Sequence, residues 1–197
     1  AVTEILRFQT VRADVGRVNG RYFAETLSFG LDAAIALDTM DRRQKSGRAG
    51  TMLYLESAVD QLFHHLQVFS FKMDVLGAEP GCAPHPEWDD AYLVAVQVGP
   101  TYGGHFRITP KARLDDGLLD ICWATPELSS MRALALLLRA RGGKHTGSDH
   151  IHFRRASSLV LDFEEEPPAQ MDGEPVRGTH FVIDCVPDAL TVVVGQR

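Results

Sequence analysis

Apolar and polar residues alternate at every second position along much of this chain, and that pattern constrains its fold more than any other feature. The alternation is clearest in residues 69–75 and 158–163. It recurs in further short segments, at residues 22–27, 92–98, 118–124, 151–154, 180–185 and 190–194. Side chains of a β-strand point alternately to the two faces of a sheet, so the pattern predicts half-buried strands. Many short strands separated by glycine, proline and Asp-Gly turns are typical of an antiparallel sandwich or barrel.

Two segments carry helical spacing instead. Between Ser46 and Leu66, apolar residues recur every three or four positions, which predicts an amphipathic helix of about five turns. A second helix is predicted after Thr125-Pro126 and ends at Gly142-Gly143, because proline suits the first helical position and glycine the end. Residues 77–87 are rich in proline and glycine and predict a hairpin connection. The fold class that follows is mainly β, an antiparallel β-sandwich with two or so inserted α-helices.

Composition excludes several classes of protein. The chain has 197 residues, 45% of them hydrophobic, which is enough for one core without disulfides or structural metals. Its 20 Lys and Arg against 26 Asp and Glu give a net charge of −6, and the cations are scattered, so we expect no nucleic-acid partner. Cys82, Cys122 and Cys185 are too widely spaced for a disulfide framework or a zinc ribbon, which fits a reducing cytosol. No apolar run approaches the roughly 18–20 residues of a membrane-spanning helix.

Two local motifs resemble ligand sites but are incomplete. His145, His150 and His152 could offer metal ligands, but no second cluster of ligands completes such a site. Gly142-Gly143-Lys144 has the end of a phosphate-binding P-loop, yet the glycine that opens the P-loop would fall at position 138, where the chain has Leu138. Helix termination explains these glycines better.

Two Asp-Gly turns carry clustered carboxylates, at residues 114–120 and 171–175. Each alone reads as a hairpin turn, because aspartate caps the turn and glycine supplies the positive φ. Taken together, the two turns suit metal binding and proton transfer. Carboxylates and backbone carbonyls at tight turns are ligands for Mg²⁺, and a second carboxylate could accept a proton from an attacking hydroxyl. Phosphoryl transfer needs both.

The order and spacing of several motifs resemble the C-terminal half of the bacterial diacylglycerol kinase and sphingosine kinase superfamily of lipid kinases. The matching segments are residues 12–18, 22–33, 99–120, 171–175 and 186–190. Residues 99–120 are the most specific, because they are similar to the family's Gly-Gly-Gly, Pro-x-Ala and Asp-Asp-Gly-x-Leu-Asp signature. Two positions depart from the pattern: Leu31 replaces an aromatic residue and His105 replaces the third glycine. The resemblance spans about residues 10–197.

The resemblance implies a two-domain, ATP-dependent enzyme. Its N-terminal α/β domain would hold the ATP phosphates on a Gly-Gly-Asp-Gly-Thr loop, and its C-terminal β-sandwich would complete the cleft. That loop occurs nowhere in these 197 residues. We therefore expect residues 1–15 to be the tail of a nucleotide-binding domain and residues 16–197 to be the C-terminal β-sandwich, inactive by itself.

The same resemblance implies the site residues. Asp172 and Glu174 match the Asp-Gly-Glu positions, where a carboxylate takes the proton from the lipid hydroxyl as it attacks the γ-phosphate; which of the two is the base stays open. Asp116 would bind a structural Mg²⁺ through its side chain, and Arg113 and Leu118 would bind it through their carbonyl oxygens.

The expected partners follow from this assignment. They are a lipid substrate such as diacylglycerol at the membrane surface, the N-terminal nucleotide-binding domain, and a second copy of the chain through an exposed sheet edge. We expect a cytoplasmic protein peripheral to the membrane. The acceptor lipid stays open, since diacylglycerol, sphingoid bases and phosphatidylglycerol all present a primary hydroxyl on an apolar tail. One alternative is a non-catalytic β-sandwich that binds lipid or protein. Another is a soluble-nucleotide kinase such as an NAD kinase, whose signature residues do not match this spacing.

Overall fold

A computed structural model describes residues 8–76, 85–102 and 106–195 of the chain. These residues form twelve β-strands and three α-helices. The strands are β1 (Phe8–Val18), β2 (Arg21–Phe23), β3 (Thr26–Gly30), β4 (Phe69–Val75), β5 (His85–Ala91), β6 (Leu93–Gln97), β7 (Leu119–Ala124), β8 (Ile151–Ala156), β9 (Ser158–Phe163), β10 (Ala169–Met171), β11 (Glu174–Val176) and β12 (His180–Gly195). The helices are α1 (Leu31–Ser46), α2 (Thr51–His64) and α3 (Ser130–Ala140).

The strands form two six-stranded antiparallel sheets. The order is β2-β1-β12-β9-β4-β5 in the first sheet and β11-β10-β3-β6-β7-β8 in the second. Apolar side chains from both sheets make the larger core, which contains Phe29, Phe71, Trp123, Phe163 and Phe181. The predicted fold class, an antiparallel β-sandwich with inserted helices, is confirmed.

The second sheet is covered on both faces. A smaller apolar cluster joins its outer face to the helices, with Ile35 of α1, Tyr54 of α2 and Ala140 of α3 packed with Ala95 and Cys122 of the sheet. All six residues of β7 are buried, whereas in β9 buried and half-buried residues alternate. Alternation therefore marks β4 and β9 of the first sheet, and near-continuous buried runs mark β3, β6 and β7, the central strands of the doubly covered sheet.

The helices differ from the prediction in number and length. The predicted helix of residues 46–66 is α2, which is shorter at both ends, and the helix after Thr125-Pro126 begins only at Ser130, with Ser129 as its N-cap. Helix α1 was not predicted. Its buried residues are Asp32, Ala33 and Ile35, which form too short an apolar face to give a strong periodic signal.

The last two predicted strands, at residues 180–185 and 190–194, are one long strand, β12. Its pairing with β1 is interrupted between Ala13 and Val15, where partners shift from Leu190 to Val186. Asp188, at the irregularity, has φ 53°. Such a bulge bends a strand without ending it, so the chain continues across the sheet.

Other predictions fall at the edges of the described residues. Strands β4 and β5 pair as a hairpin, as predicted for residues 77–87, although residues 77–84 lie outside the described part of the chain. Residues 8–15 form most of β1 and pair with β12, while the assignment of residues 1–15 to a preceding domain stays a prediction. No helix in the described ranges is long and apolar enough to cross a membrane.

Candidate functional site

The Asp-Gly turn of residues 171–174 joins β10 to β11 at the edge of the second sheet. Met171 pairs with Glu174, so Asp172 and Gly173 are the two residues of the hairpin loop. Their φ angles are 48° and 88°. Two successive residues with positive φ make the turn whose twist matches a hairpin, and aspartate and glycine adopt that conformation at the lowest cost.

The Asp172 carboxylate is held by the backbone of the neighbouring β2–β3 turn. Its oxygens accept hydrogen bonds from the backbone N–H groups of Ala24 at 2.6 Å, Glu25 at 3.0 Å and Thr26 at 2.9 Å. The backbone N–H of Asp172 donates in return to the carbonyl oxygen of Thr26 at 2.9 Å. Asp172 therefore ties two turns together.

Glu174, the second carboxylate of the motif, is placed differently. It is exposed on the edge strand β11, and its side chain makes no hydrogen bond or ion pair with any residue that the structure describes. Of the two predicted catalytic carboxylates, Glu174 is thus the one whose oxygens are available to an incoming group.

An apolar groove of about 510 Å³ lies beside the turn, between it and the helices. Asp172 and Gly173 line it together with Met40 of α1, Tyr54 of α2 and Tyr102. Glu174 is not among its lining residues. The groove offers an apolar path from the carboxylate turn toward the helix layer.

A second and much smaller cavity, of about 60 Å³, lies between α1, α3 and the outer face of the second sheet. Tyr102 lines both this cavity and the groove. The walls of this cavity are almost entirely apolar, but they include two buried polar atoms that have no hydrogen-bond partner among the described residues, Oδ2 of Asp32 and Nδ1 of His145. Unpartnered buried polar atoms cost free energy, and a ligand with a complementary group would remove that cost.

Burial dominates the protonation of the groups around this cavity. It raises the pKa of Asp32 from its usual 3.8 to about 6, against a hydrogen bond from Ser28 that acts in the opposite direction. Burial and the nearby charge of Asp32 also raise the pKa values of Tyr54 and Cys122. The pKa of His145 is lowered by burial, so a neutral imidazole is favoured there.

A buried chain of hydrogen bonds links the cavity to the turn. The Gln170 side chain accepts from the backbone N–H of Gly173 at 2.7 Å and donates to the Ser28 hydroxyl at 2.7 Å. Ser28 in turn bonds Asp32 in the cavity wall. Gln170 is 1% exposed, so these contacts take place away from solvent.

The predicted magnesium loop, residues 113–118, is fastened by protein groups. One Asp116 oxygen accepts from the Leu118 backbone N–H at 3.2 Å, and the other is ion-paired with Arg155. Arg155 also pairs with Asp120 at 3.4 Å. The Arg113 side chain pairs with Asp115 at 3.2 Å.

Asp14 secures the same loop from β1. Its carboxylate accepts from the backbone N–H groups of Gly117 at 2.7 Å and Asp188 at 2.9 Å, so it joins the loop to the bulge of β12. Burial, followed by the charges of Asp14 and Asp116, raises the pKa of nearby Cys185 to about 12. That thiol is therefore protonated at neutral pH.

The candidate magnesium ligands are blocked by an ion pair in this arrangement. Asp116, Arg113 and Leu118 could supply one carboxylate and two carbonyl oxygens, a chemistry that suits Mg²⁺. The Asp116 carboxylate is, however, already neutralised by the Arg155 guanidinium, and a divalent cation beside that guanidinium would be repelled. The three residues do not fit the ion unless Arg155 gives way, so no step below depends on it.

The two predicted sites lie at the same end of the second sheet but are not in contact. The strand register aligns Thr26 with Gln97, and Gln97 with Asp120, the partner of Arg155. Neighbouring strands are about 4.8 Å apart, so three strand spacings separate the turn of Asp172 from Asp120 by about 14 Å. One ion therefore cannot bind the carboxylates of Asp172 and Asp120 at the same time.

Two of the histidines considered as metal ligands make contacts with other protein groups. The His145 ring bonds the carbonyl oxygen of Ile108 at 2.9 Å, and His152 stacks on Trp123 with ring centroids 5.2 Å apart. Within the described ranges, no group of three His, Cys, Asp or Glu side chains is arranged to hold a metal ion.

Four residues of the site were not identified from sequence: Asp14, Asp32, Arg155 and Gln170. Each acts through a partner distant in the chain, so no local spacing marks it. Asp14 and Asp32 lie inside the segments that resemble the lipid kinase family, and that resemblance was the only sequence signal for them. Gly103, Gly104 and His105, where the glycine signature departs from the family, lie outside the described residues.

Comparison with known proteins gives a consistent result. Residues 25–194 match the family model described as the YegS C-terminal NAD kinase beta sandwich-like domain. A protein named "Probable lipid kinase YegS-like" from Pectobacterium atrosepticum is 28% identical over 197 residues, covering 96% of this chain and 59% of the relative. A protein of the same name from Pseudomonas aeruginosa is 27% identical, covering 93% of this chain and 57% of the relative.

Solved structures agree on the fold. The structure of a candidate diacylglycerol kinase from Bacillus anthracis str. Sterne superposes with a TM-score of 0.69 at 22% identity, covering 97% of this chain and 60% of that one. A second diacylglycerol kinase structure from that organism gives a TM-score of 0.61 at 19% identity, covering 93% of this chain and 53% of that one. The chain thus spans between half and three-fifths of the length of these proteins.

Proposed function

Because the chain belongs to the family of YegS C-terminal NAD kinase β-sandwich-like domains, we propose that it is the acceptor-binding half of an ATP-dependent lipid kinase. The reaction is transfer of the γ-phosphate of ATP to the primary hydroxyl of a lipid such as diacylglycerol. ATP would be held mainly by a preceding nucleotide-binding domain. Relatives named as lipid kinases support the class of reaction.

The observation that carries the proposal is the apolar groove lined by Asp172 and Gly173, the two loop residues of the Asp-Gly-Glu turn. A lipid acceptor has a hydroxyl at one end and an apolar chain at the other. The groove is also lined by Met40, Tyr54 and Tyr102, and Tyr102 also borders the apolar cavity of Asp32. A lipid with its chain in this apolar path would place its hydroxyl near the turn.

The two carboxylates of the turn have separate roles in this proposal. Glu174 accepts the proton from the lipid hydroxyl, because none of the described residues bonds its oxygens. The hydroxyl oxygen then bonds to the γ-phosphorus, the bond from that phosphorus to the β,γ-bridging oxygen breaks, and ADP leaves. Asp172 holds the turn through three backbone hydrogen bonds and so positions Glu174.

The test is a lipid kinase assay on the native protein with Glu174→Gln, which keeps the size of the side chain but not its basicity. Transfer of labelled phosphate from ATP to diacylglycerol, sphingosine or phosphatidylglycerol in mixed micelles should fall by a factor of roughly 10² to 10⁴. The melting temperature should stay unchanged. Glu164→Gln, at another exposed glutamate, is the matched control and should keep full activity.

The same assay separates the alternatives. Full turnover by Glu174→Gln would refute the assigned base. Phosphorylation of NAD but not of any lipid would favour the soluble-nucleotide kinase. Lipid binding by the wild-type protein without any phosphoryl transfer would favour the non-catalytic binding module.

A further inference from the structure

We propose that the outer face of helix α3, together with the cations around it, is a docking surface for an anionic lipid bilayer. The inference rests on the proposed function in one respect, since a lipid kinase must reach an acceptor that resides in a membrane. Its own support comes from the surface of α3.

Helix α3 is apolar on two opposite faces. Ala133, Leu136, Leu137 and Ala140 face inward and line the apolar cavity. On the opposite face, Met131 and Leu138 are 66% and 52% exposed, and Leu134 lies between them at helical spacing. A water-facing helix side normally carries polar residues, so this outward apolar stripe suits an apolar partner.

The charged residues of α3 and of the turn that follows it are all positive, and Glu127 and Asp149 flank this segment. From Leu128 to Ser148 the chain contains Arg132, Arg139, Arg141 and Lys144 and no aspartate or glutamate. This concentration stands in a chain whose net charge is −6. A basic, exposed helix with an apolar stripe is the surface that binds the interface of an anionic membrane.

The four cations are also unpaired among the described residues. The other two helices differ in this respect. Arg42 pairs with Asp38 and Asp60, Lys45 with Asp41, and Arg48 with Glu56, so the charges of α1 and α2 largely neutralise one another. Among the helices in the described part of the chain, α3 with the turn that follows it leaves the most neighbouring positive charges available to an external partner, and that complementarity selects phosphate headgroups over an uncharged surface.

The position of α3 fits a lipid substrate. Its inward face forms one wall of the cavity that contains Asp32 and His145, so a bilayer on the outward face would lie one helix diameter, about 10 Å, from that cavity. A lipid chain would have a short path from the membrane into the protein.

The experiment is sedimentation with vesicles, in the absence of nucleotide, comparing phosphatidylcholine with phosphatidylcholine mixed with phosphatidylglycerol. Wild-type protein should bind the anionic vesicles and bind the neutral ones much more weakly. The double variant Arg132→Gln/Arg139→Gln should lower the partition coefficient for anionic vesicles roughly 30-fold, because each cation near such a surface contributes about fivefold. Met131→Ser/Leu138→Ser should lower it roughly tenfold or more on both vesicle types.

Two control variants change equivalent groups elsewhere. Arg43→Gln removes one exposed cation from α1, and Val193→Ser removes an exposed apolar side chain from β12. Both should bind vesicles as the wild type does. Equal loss of binding in the controls and the α3 variants would overturn the proposal, as would wild-type protein that ignores anionic vesicles or dimerises through α3.

The vesicle result is independent of the kinase assay. Vesicle binding through α3 without lipid phosphorylation would refute the proposed function and keep the docking surface. Phosphorylation of micellar lipid that survives the α3 substitutions, with vesicle binding unaffected, would do the reverse.

Discussion

At the scale of single residues, Asp32 makes stability depend on pH. Its pKa is about 6 in the folded protein, above the ordinary 3.8. Between these values the folded state keeps a proton that the unfolded state has lost, so the free energy of unfolding decreases as pH rises through this window. Above this pH window the free energy of unfolding has fallen by its full amount, up to about 3 kcal/mol.

Asp32→Asn should therefore raise the free energy of unfolding at neutral pH and flatten its pH dependence between the two pKa values. Urea unfolding across that window measures both effects. Asp149→Asn, at an exposed aspartate, should leave the pH profile as it is. A wild-type protein whose stability increases steadily across the window would contradict the assignment.

Substitutions at Asp172 and at Glu174 should also differ in their effect on the free energy of unfolding. Asp172→Ala leaves three backbone N–H groups without their acceptor, at a cost of about 2 kcal/mol. Glu174→Ala removes no hydrogen bond and should change the free energy of unfolding by less than about 0.5 kcal/mol. Thermal or urea unfolding of both variants gives the comparison. Equal effects would show that the two carboxylates are not divided between holding the turn and serving as the base.

At the scale of secondary structure, the elements that sequence predicted are those with a strong local period. Strand β4 alternates cleanly, and α2 has long apolar residues at helical spacing. Helix α1 has neither feature, because alanines and one isoleucine face the sheet, and its charged second half is stabilised by pairs such as Arg42–Asp38 and Lys45–Asp41. Strand β12 was divided in two because its bulge at Asp188 resembles a turn.

The hairpin β10–β11 should depend on Gln170. Replacing Gln170 with Leu keeps the volume but leaves the Gly173 N–H without its acceptor and removes the hydrogen bond that the Ser28 hydroxyl accepts, which should cost about 2–4 kcal/mol. Ser28→Ala should cost less, and the double variant should be less destabilised than the sum of the two. A double-mutant cycle by urea unfolding measures the coupling, and additive effects would exclude it.

The loop of residues 113–118 should depend on Arg155 rather than on magnesium. With the guanidinium on Asp116, adding Mg²⁺ or EDTA to the wild type should shift the melting temperature by less than about 1 °C. Arg155→Gln should lower the melting temperature, and Mg²⁺ should then restore part of the loss, since Asp116 is freed for an ion. A large magnesium effect on the wild type would instead support the predicted ion site at Asp116, Arg113 and Leu118.

At the scale of the whole molecule, the β-sandwich was predictable because short apolar segments, alternating in β4 and β9 and nearly continuous in β7, are separated by turn residues in the sequence. The site was predictable only through motifs resembling a family, and only in part. Asp172 and Glu174 were marked by an Asp-Gly-Glu pattern, but their division of roles depends on Ala24 and Thr26, nearly 150 positions earlier. Contacts of such sequence separation have no local signature, which is also why Asp14 and Arg155 were missed.

We also expect this chain alone to bind ATP weakly. Tight binding of its phosphates needs a loop of convergent backbone N–H groups, and the Gly-Gly-Asp-Gly-Thr motif is absent from these 197 residues. We expect calorimetry to give a dissociation constant of about 1 mM or weaker. The cations of α3 could attract ATP without specificity, so inorganic triphosphate should bind equally well, and Arg132→Gln/Arg139→Gln should abolish both. Tight binding of ATP that persists in this variant would mean that the β-sandwich holds the nucleotide itself, and the proposed division of labour between two domains would be wrong.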